Sequence, residues 1–282
     1  MPRDVDPGPA LQRLLLGDQL RALRVGRSLS AEDATGQLGW YRAKLGKIES
    51  GTMRATTVDI DALLKLYGVR GRPATEVRDL ARDARRKTPP ARVADFAKQY
   101  VALWNSVDEV LMFSADHIPG PFQQVAYARS IIDTSVTVSP AEVDRLAEAR
   151  AARIARVTMP GGPQIWLVLG EEALLREIGG RHVLHDQLVQ VRDLAERPNV
   201  TVQIIPLAAG AHVAVGSRFT LLRFTAANTS FAYVEGLTTA DCLRGHHART
   251  YSLAFDRLRG TALTSKESIA LLDRRISQLC KE

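Results

Sequence analysis

Cysteine is nearly absent. Cys242 and Cys280 are the only two in 282 residues, far apart and outside the spacing of a zinc site or a redox pair. Such usage fits a reducing compartment. No uninterrupted apolar run approaches the roughly 20 residues that a membrane helix requires, so no membrane partner is expected. The opening residues, Met1-Pro2-Arg3-Asp4-Val5-Asp6-Pro7, carry neither an export-signal pattern nor an amphipathic one. The expectation is a soluble, cytoplasmic protein. Catalytic signatures are missing too: there is no Gly-x-Ser-x-Gly elbow, Walker loop, dinucleotide fingerprint or His-Glu-x-x-His. Gly161-Gly162 and Gly179-Gly180 lack the spacing to cradle phosphate. Glu171 and Glu172 are adjacent, so on a helix they point about 100° apart and cannot act as a facing pair. No enzymatic activity and no cofactor are expected. Internal repeats and low-complexity segments are also lacking.

Length and charge come next. A chain of this size suits two domains. Its net charge is +7, and residues 1–90 hold 17 Lys/Arg against 11 Asp/Glu. An excess of six therefore sits in the first third, where an anionic polymer is expected to bind. Residues 1–15, with Pro2, Pro7, Gly8 and Pro9, read as a flexible tail. Residues 16–88 read as a helical domain with a connecting helix over Thr75–Lys87. In that helix Arg82, Arg85, Arg86 and Lys87 either reach flanking phosphates or form a solvated face. Pro89-Pro90 marks the boundary, and residues 91–282 form the second domain.

Within the first domain, Leu16, Leu20 and Leu23 recur at the spacing of one buried helix face. Ser30-Ala31-Glu32-Asp33 reads as an N-cap with an acid at N3, opening a short helix through Leu38. Gly39 supplies a turn at little steric cost. The next helix keeps Leu45 and Ile48 inward and stops at Ser50-Gly51. A fourth begins at Thr56, with Asp59 at N3 and Val58, Ala62, Leu63 and Leu66 inward. This order is the plan of a helix-turn-helix. At 100° per residue the outward face of the third helix is centred on Ala43, Gly46 and Lys47, flanked by Arg42 and Lys44. Arg42, Lys44 and Lys47 are the expected DNA-contacting cations, with Tyr41, Ala43 and Gly46 lining the groove side. Ala43 and Gly46 have no hydrogen-bonding side chain, so they cannot read the donor and acceptor pattern of base edges. Phosphate contacts should dominate.

Leu38-Gly39-Trp40 and Lys47-Ile48-Glu49-Ser50-Gly51 give the segment from Leu16 to Val69 a family likeness. It resembles the Cro/C1-repressor (xenobiotic-response-element) helix-turn-helix. The resemblance implies a structural Glu49 that ties down the backbone after the recognition helix. It departs at Ala31, where the family often has Gln bracing a phosphate contact, and at Tyr41, where it usually has Ser or Thr.

Residues 91–282 read as a helix-rich α/β domain with a small sheet, which makes the whole chain α+β. Gln164–Leu169, Val200–Ile205, Arg218–Phe224 and Phe231–Glu235 are strand candidates bounded by Gly, Pro or Asn. Helices are expected over Ala94–Asn105, Glu171–Ile178, His185–Arg197, Asp241–Arg259 and Thr264–Cys280, the last with a capping box at Thr264-Ser265-Lys266-Glu267. Ser139-Pro140-Ala141-Glu142 opens another, running to about Val157 and carrying Arg145, Arg150, Arg153 and Arg156. Asp241-Cys242 with His246-His247 would share a helix, but without a second ligand pair no metal site is expected. Trp104, Phe113, Phe122, Tyr127 and Trp166 read as core in preference to pocket lining. Ile118-Pro119-Gly120-Pro121-Phe122-Gln123-Gln124, Tyr127-Ala128-Arg129, Leu169-Gly170-Glu171-Glu172-Ala173-Leu174-Leu175, Asn199–Pro206 and Tyr233-Val234-Glu235 resemble the WhiJ-like actinobacterial regulators. Members more often have Leu-Leu-Gln-Thr where this chain has Pro121-Phe122-Gln123-Gln124.

The resemblance implies a regulator of development or secondary metabolism, often encoded beside a small acidic partner protein. The reading is a transcription regulator that binds double-stranded DNA as a homodimer. Its second domain receives a small-molecule or protein signal. The alternative is an interaction protein, antitoxin-like, in which the helix-turn-helix is a degenerate docking surface.

Overall fold

The structure, a computed structural model, describes residues 8–86, 98–225, 227–237 and 239–281. It falls into two compact units. The first contains residues 8–86 and Val101–Ser106; the second contains residues 98–100 and the described residues from Val107 onward. The expected boundary at Pro89-Pro90 lies outside the described residues, as do Lys87 of the connecting helix and the start of the helix expected from Ala94.

The first unit is built from α1 (Gly8–Gly26), α2 (Ala31–Leu38), α3 (Ala43–Glu49), α4 (Thr57–Leu66) and α5 (Arg72–Ala84). Helix α1 begins well before the expected position, so residues 8–15 are not a tail. Ala10, Leu11 and Leu14 are buried, extending the stripe of Leu16 and Leu20 backward, and Pro9 sits in the first turn, where its missing N–H costs nothing. The core gathers Leu16, Leu20, Leu45, Ile48, Ile60, Leu63, Tyr67 and Val77. Both expected capping boxes close. Ser30 Oγ accepts from Asp33 N at 3.0 Å and Ser30 N donates to Asp33 Oδ2 at 3.2 Å. Thr56 Oγ1 accepts from Asp59 N at 3.1 Å and Thr56 N donates to Asp59 Oδ2 at 3.0 Å.

Helix α6 (Lys98–Trp104) contains the division between the units. The second unit continues with β1 (Glu109–Ser114), α7 (Val125–Ile132), α8 (Val143–Ala151), α9 (Ile154–Thr158), β2 (Gln164–Gly170), α10 (Glu172–Leu175) and α11 (Arg181–Ala195). Then follow β3 (Val200–Ile205), β4 (Phe219–Phe224), β5 (Thr229–Glu235), β6 (Ala240–Leu243), α12 (His246–Thr261) and α13 (Ser265–Lys281). The sheet has the order β3-β2-β1-β4-β5-β6. Strands β1, β2 and β3 are parallel neighbours, and β4, β5 and β6 are added antiparallel on the other side of β1. Leu111, Phe113, Val168, Phe219, Leu221 and Ala232 pack on Phe255 and Leu258 of α12. Val110, Met112, Leu167, Val202, Leu222 and Phe231, at the alternate strand positions, are buried as well.

The four expected strands are present, and two more join them. Strand β1 is the central one. Its Val-Leu-Met-Phe run is buried on both faces, so it shows no alternation by which to recognise it. Strand β6 (Ala240–Leu243) takes the first three residues of the helix expected over Asp241–Arg259; Gly245, at φ 58, turns the chain into α12 instead. Asp241 and Cys242 thus stand on a strand and His246 and His247 on a helix, and the shared helical face considered for a metal does not form. The helix expected from Ser139 to Val157 opens as a 3-10 turn and breaks between α8 and α9. The capping box at Thr264 closes as expected: Thr264 N donates to Glu267 Oε2 at 2.9 Å and Glu267 N to Thr264 Oγ1 at 3.3 Å.

Candidate nucleic-acid interface

Helix α2 ends at Gly39, whose φ of 63° lies in the left-handed region that glycine enters freely. The chain then turns through Trp40, Tyr41 and Arg42 into α3. The cap position of α3 is Arg42, without a side-chain hydrogen bond to the helix, so Tyr41 does not replace the missing Ser or Thr. The Tyr41 carbonyl accepts from Lys44 N at 3.0 Å, while its ring stays exposed and its hydroxyl lies 3.6 Å from Met53 Sδ.

Leu45, Ile48 and Glu49 point inward; Ala43, Gly46 and Lys47 are exposed, with Tyr41 and Arg42 beside them. A Cβ added at Gly46 meets nothing within 4 Å. The outward face drawn from the helical period is therefore the solvent face. Lys44 behaves differently from the expectation. Its Nζ pairs with Asp59 Oδ1 at 2.5 Å and stands 4.2 Å from the centre of the Trp40 ring. It fastens α3 to the start of α4. Burial works to raise the Asp59 pKa, but hydrogen bonds from Lys44 and Thr56 outweigh it and hold the carboxyl below its ordinary value.

Glu49 is buried, and it receives Arg24 Nε at 2.7 Å and Arg24 Nη2 at 2.9 Å. Arg24 Nη1 donates onward to the Leu29 carbonyl at 2.7 Å. Glu49 is thus a structural residue, but the contact differs from the one the family likeness implied: the fork ties α3 to Arg24 of α1, and not to the backbone after the recognition helix. Arg24 was not anticipated. It lies four residues beyond Leu20 on the buried stripe, and a charged residue at that spacing is the signal that announces a paired core position. Removing either partner of such a buried pair costs about 3–5 kcal/mol, because the other charge is left uncompensated. Gly17 allows the close approach that the pair needs: a Cβ there would lie 2.2 Å from the Glu49 carbonyl oxygen.

Most other cations of this unit have partners. Arg72 pairs with Glu76, Arg78 with Asp61 and Arg82 with Asp79, and Arg27 donates to the Tyr67 carbonyl at 2.6 Å. Among the described residues no carboxylate lies within ion-pair distance of Arg42 or Lys47.

In the second unit, Phe122, Tyr127 and Phe113 are buried, and Trp166 donates from Nε1 to Gln203 Oε1 at 2.8 Å. Of the five aromatics singled out in the sequence, only Phe113 borders the cavity described below. No helix among the described residues is long and apolar enough to cross a membrane.

Residues 15–80 match the family model described as Helix-turn-helix domain, and residues 97–274 match the one described as Domain of unknown function (DUF5753). No curated protein and no solved structure matches the chain. With the second model covering more than half of its length, the chain belongs to the family described as Domain of unknown function (DUF5753), joined here to the helix-turn-helix of a DNA-binding regulator.

Proposed function

We propose that the protein is a non-enzymatic transcription regulator of the WhiJ-like actinobacterial kind that works as a homodimer on duplex DNA. Its second unit receives a chemical signal or an acidic partner protein. The observation that carries the reading is the pair Arg42 and Lys47 on the exposed face of α3, in a unit where carboxylates hold Arg24, Lys44, Arg72, Arg78 and Arg82. These two neutralise phosphates, and Tyr41, Ala43 and Gly46 let the helix lie close to the groove wall. Lys44 positions α3 through Asp59. With so few hydrogen-bonding side chains facing outward, one copy is a weak reader. A dimer multiplies the two contacts because the second is intramolecular.

Gly46→Glu tests the face directly. The added side chain enters open space and replaces a glycine inside a helix, so the thermal midpoint should hold or rise and should not fall. The carboxylate would face phosphates, and duplex affinity should fall at least about tenfold. Lys47→Ala should weaken binding and reduce the slope of log K against log salt by about one. Unchanged affinity in Gly46→Glu would remove α3 from the interface and favour the protein-docking alternative.

A further inference from the structure

We propose that the second unit holds a small organic anion, a carboxylate or phosphate ester with an apolar body, in a cavity whose anion-binding groups are Arg150 and Arg153. The cavity measures about 450 Å³ and opens where β1 ends, β4 begins and β5 ends. That is the place where the winding of the sheet reverses: β1, β2 and β3 run outward in one direction, and β4 starts on the other side of β1. Open α/β sheets bind ligands in the crevice beyond the strand ends at such a reversal.

The guanidinium groups arrive by a local distortion. Where α8 gives way to α9, the backbone tightens to i−3 hydrogen bonds: Arg153 N to Arg150 O at 3.2 Å and Arg156 N to Arg153 O at 3.1 Å. In that geometry side chains three apart eclipse, and Arg150 and Arg153 both reach the cavity wall. Gly120 lies against them; a Cβ there would stand in ordinary contact, 3.5 Å from Arg150 Cγ and 3.6 Å from Arg153 Nη1.

The charge of Glu235 reaches both Arg150 and Arg153, but only from a distance. Among the described residues no carboxylate lies within ion-pair distance of either. Arg153 Nε is shut off from solvent with no hydrogen-bond partner, and Arg150 Nη1 reaches Gln123 Oε1 only at 3.4 Å. Glu235, the one acid on the wall, accepts from Tyr233 Oη at 2.9 Å. Arg218 adds a third cation. Burial lowers the pKa of both Arg150 and Arg153, and for Arg150 the charge of Arg153 lowers it further. A desolvated, unpaired guanidinium is costly, and a carboxylate or phosphate is the group whose geometry its fork fits.

Part of the wall suits an apolar body. Tyr100 stacks on Tyr233 with ring centres 4.3 Å apart, and Phe113, Phe219, Ile131 and Leu146 add apolar surface, interspersed with Ser114, His117 and Thr220. The Ile118–Gln123 loop at the rim is fixed in place: Gln123 Nε2 donates to the Ile118 carbonyl at 2.6 Å, and Gln187 and Gln190 both donate to the Phe122 carbonyl at 2.7 Å. Two of the motifs that marked this chain, Ile118–Gln124 and Tyr233-Val234-Glu235, thus meet at one cavity.

The assignment deepens the signal-receiving role proposed above and rests on it only for a regulatory consequence. The test uses no DNA, so a failure here leaves the DNA-binding reading untouched. The full chain is titrated calorimetrically with naphthalene-2-carboxylate, 2-naphthyl phosphate and the neutral naphthalene-2-carboxamide. At least one anion should bind tenfold or more tightly than the amide, and which one does so distinguishes a carboxylate from a phosphate ligand. Arg153→Met and Arg150→Met should each lose that preference. Both should also raise the thermal midpoint of the ligand-free protein, since each removes a half-buried guanidinium that no carboxylate among the described residues pairs, a result that shows the variants are folded. The proposal is overturned if neither anion outbinds the amide, if the preference survives both substitutions, or if both variants lower the ligand-free midpoint.

Discussion

At Lys44 the side-chain ammonium has two possible destinations, a DNA phosphate and the carboxylate of Asp59, and in the free protein the 2.5 Å pair with Asp59 holds it. The same carboxylate closes the capping box of α4 by accepting from Thr56 N. Asp59→Asn keeps an acceptor for Thr56 but loses the charge, and it should cost about 1 kcal/mol at neutral pH, the size of a cap or a partly exposed ion pair. The sign of its pH dependence follows from the depressed carboxyl. A folded pKa below the ordinary 3.8 means the contribution is complete above that value and is lost as pH falls through the folded one. Urea midpoints of parent and variant, followed by circular dichroism, should therefore differ at pH 7 and converge as pH falls below the folded pKa of Asp59. A gap that stays constant across the range would show that the Asp59 charge contributes nothing.

Helices α1 and α3 meet at Gly17, where backbone passes backbone with no room for a methyl group. Gly17→Ala raises helix propensity by about 1 kcal/mol, yet it should destabilise the chain by more than that, because the clash is with main chain and not with a side-chain end. A rise in the thermal midpoint would contradict the close approach. Residues like this explain what could be read in advance. The caps at Ser30, Thr56 and Thr264 are local chemistry within three residues, and they could be placed from the chain alone. So could the outward face of α3, since the helical period needs only Leu45 and Ile48 as reference points. The fork from Arg24 to Glu49 could not, because it joins residues 25 apart in sequence. Strand β1 escaped notice for the opposite reason: burial on both faces erases the alternation that identifies a strand. The cavity arginines were visible only as a run of charge along an expected helix; the tightened turn that eclipses them is a tertiary feature.

For the molecule as a whole, charge is distributed by task. The excess of cations lies in residues 1–90, yet ion pairs absorb many of them, leaving Arg42 and Lys47 on the candidate interface. Binding should accordingly be strongly salt-dependent with modest base selectivity for one isolated helix-turn-helix unit, and selectivity should come from two copies acting together. The most direct measurement is fluorescence anisotropy of the full protein with a duplex from its own upstream region and with a scrambled duplex, between about 50 and about 200 mM salt. The account predicts tighter binding to the upstream duplex, with both affinities falling as salt rises. Equal affinity for the two duplexes, or no binding to either, would contradict a sequence-directed regulator and shift the helix-turn-helix to a protein-docking role.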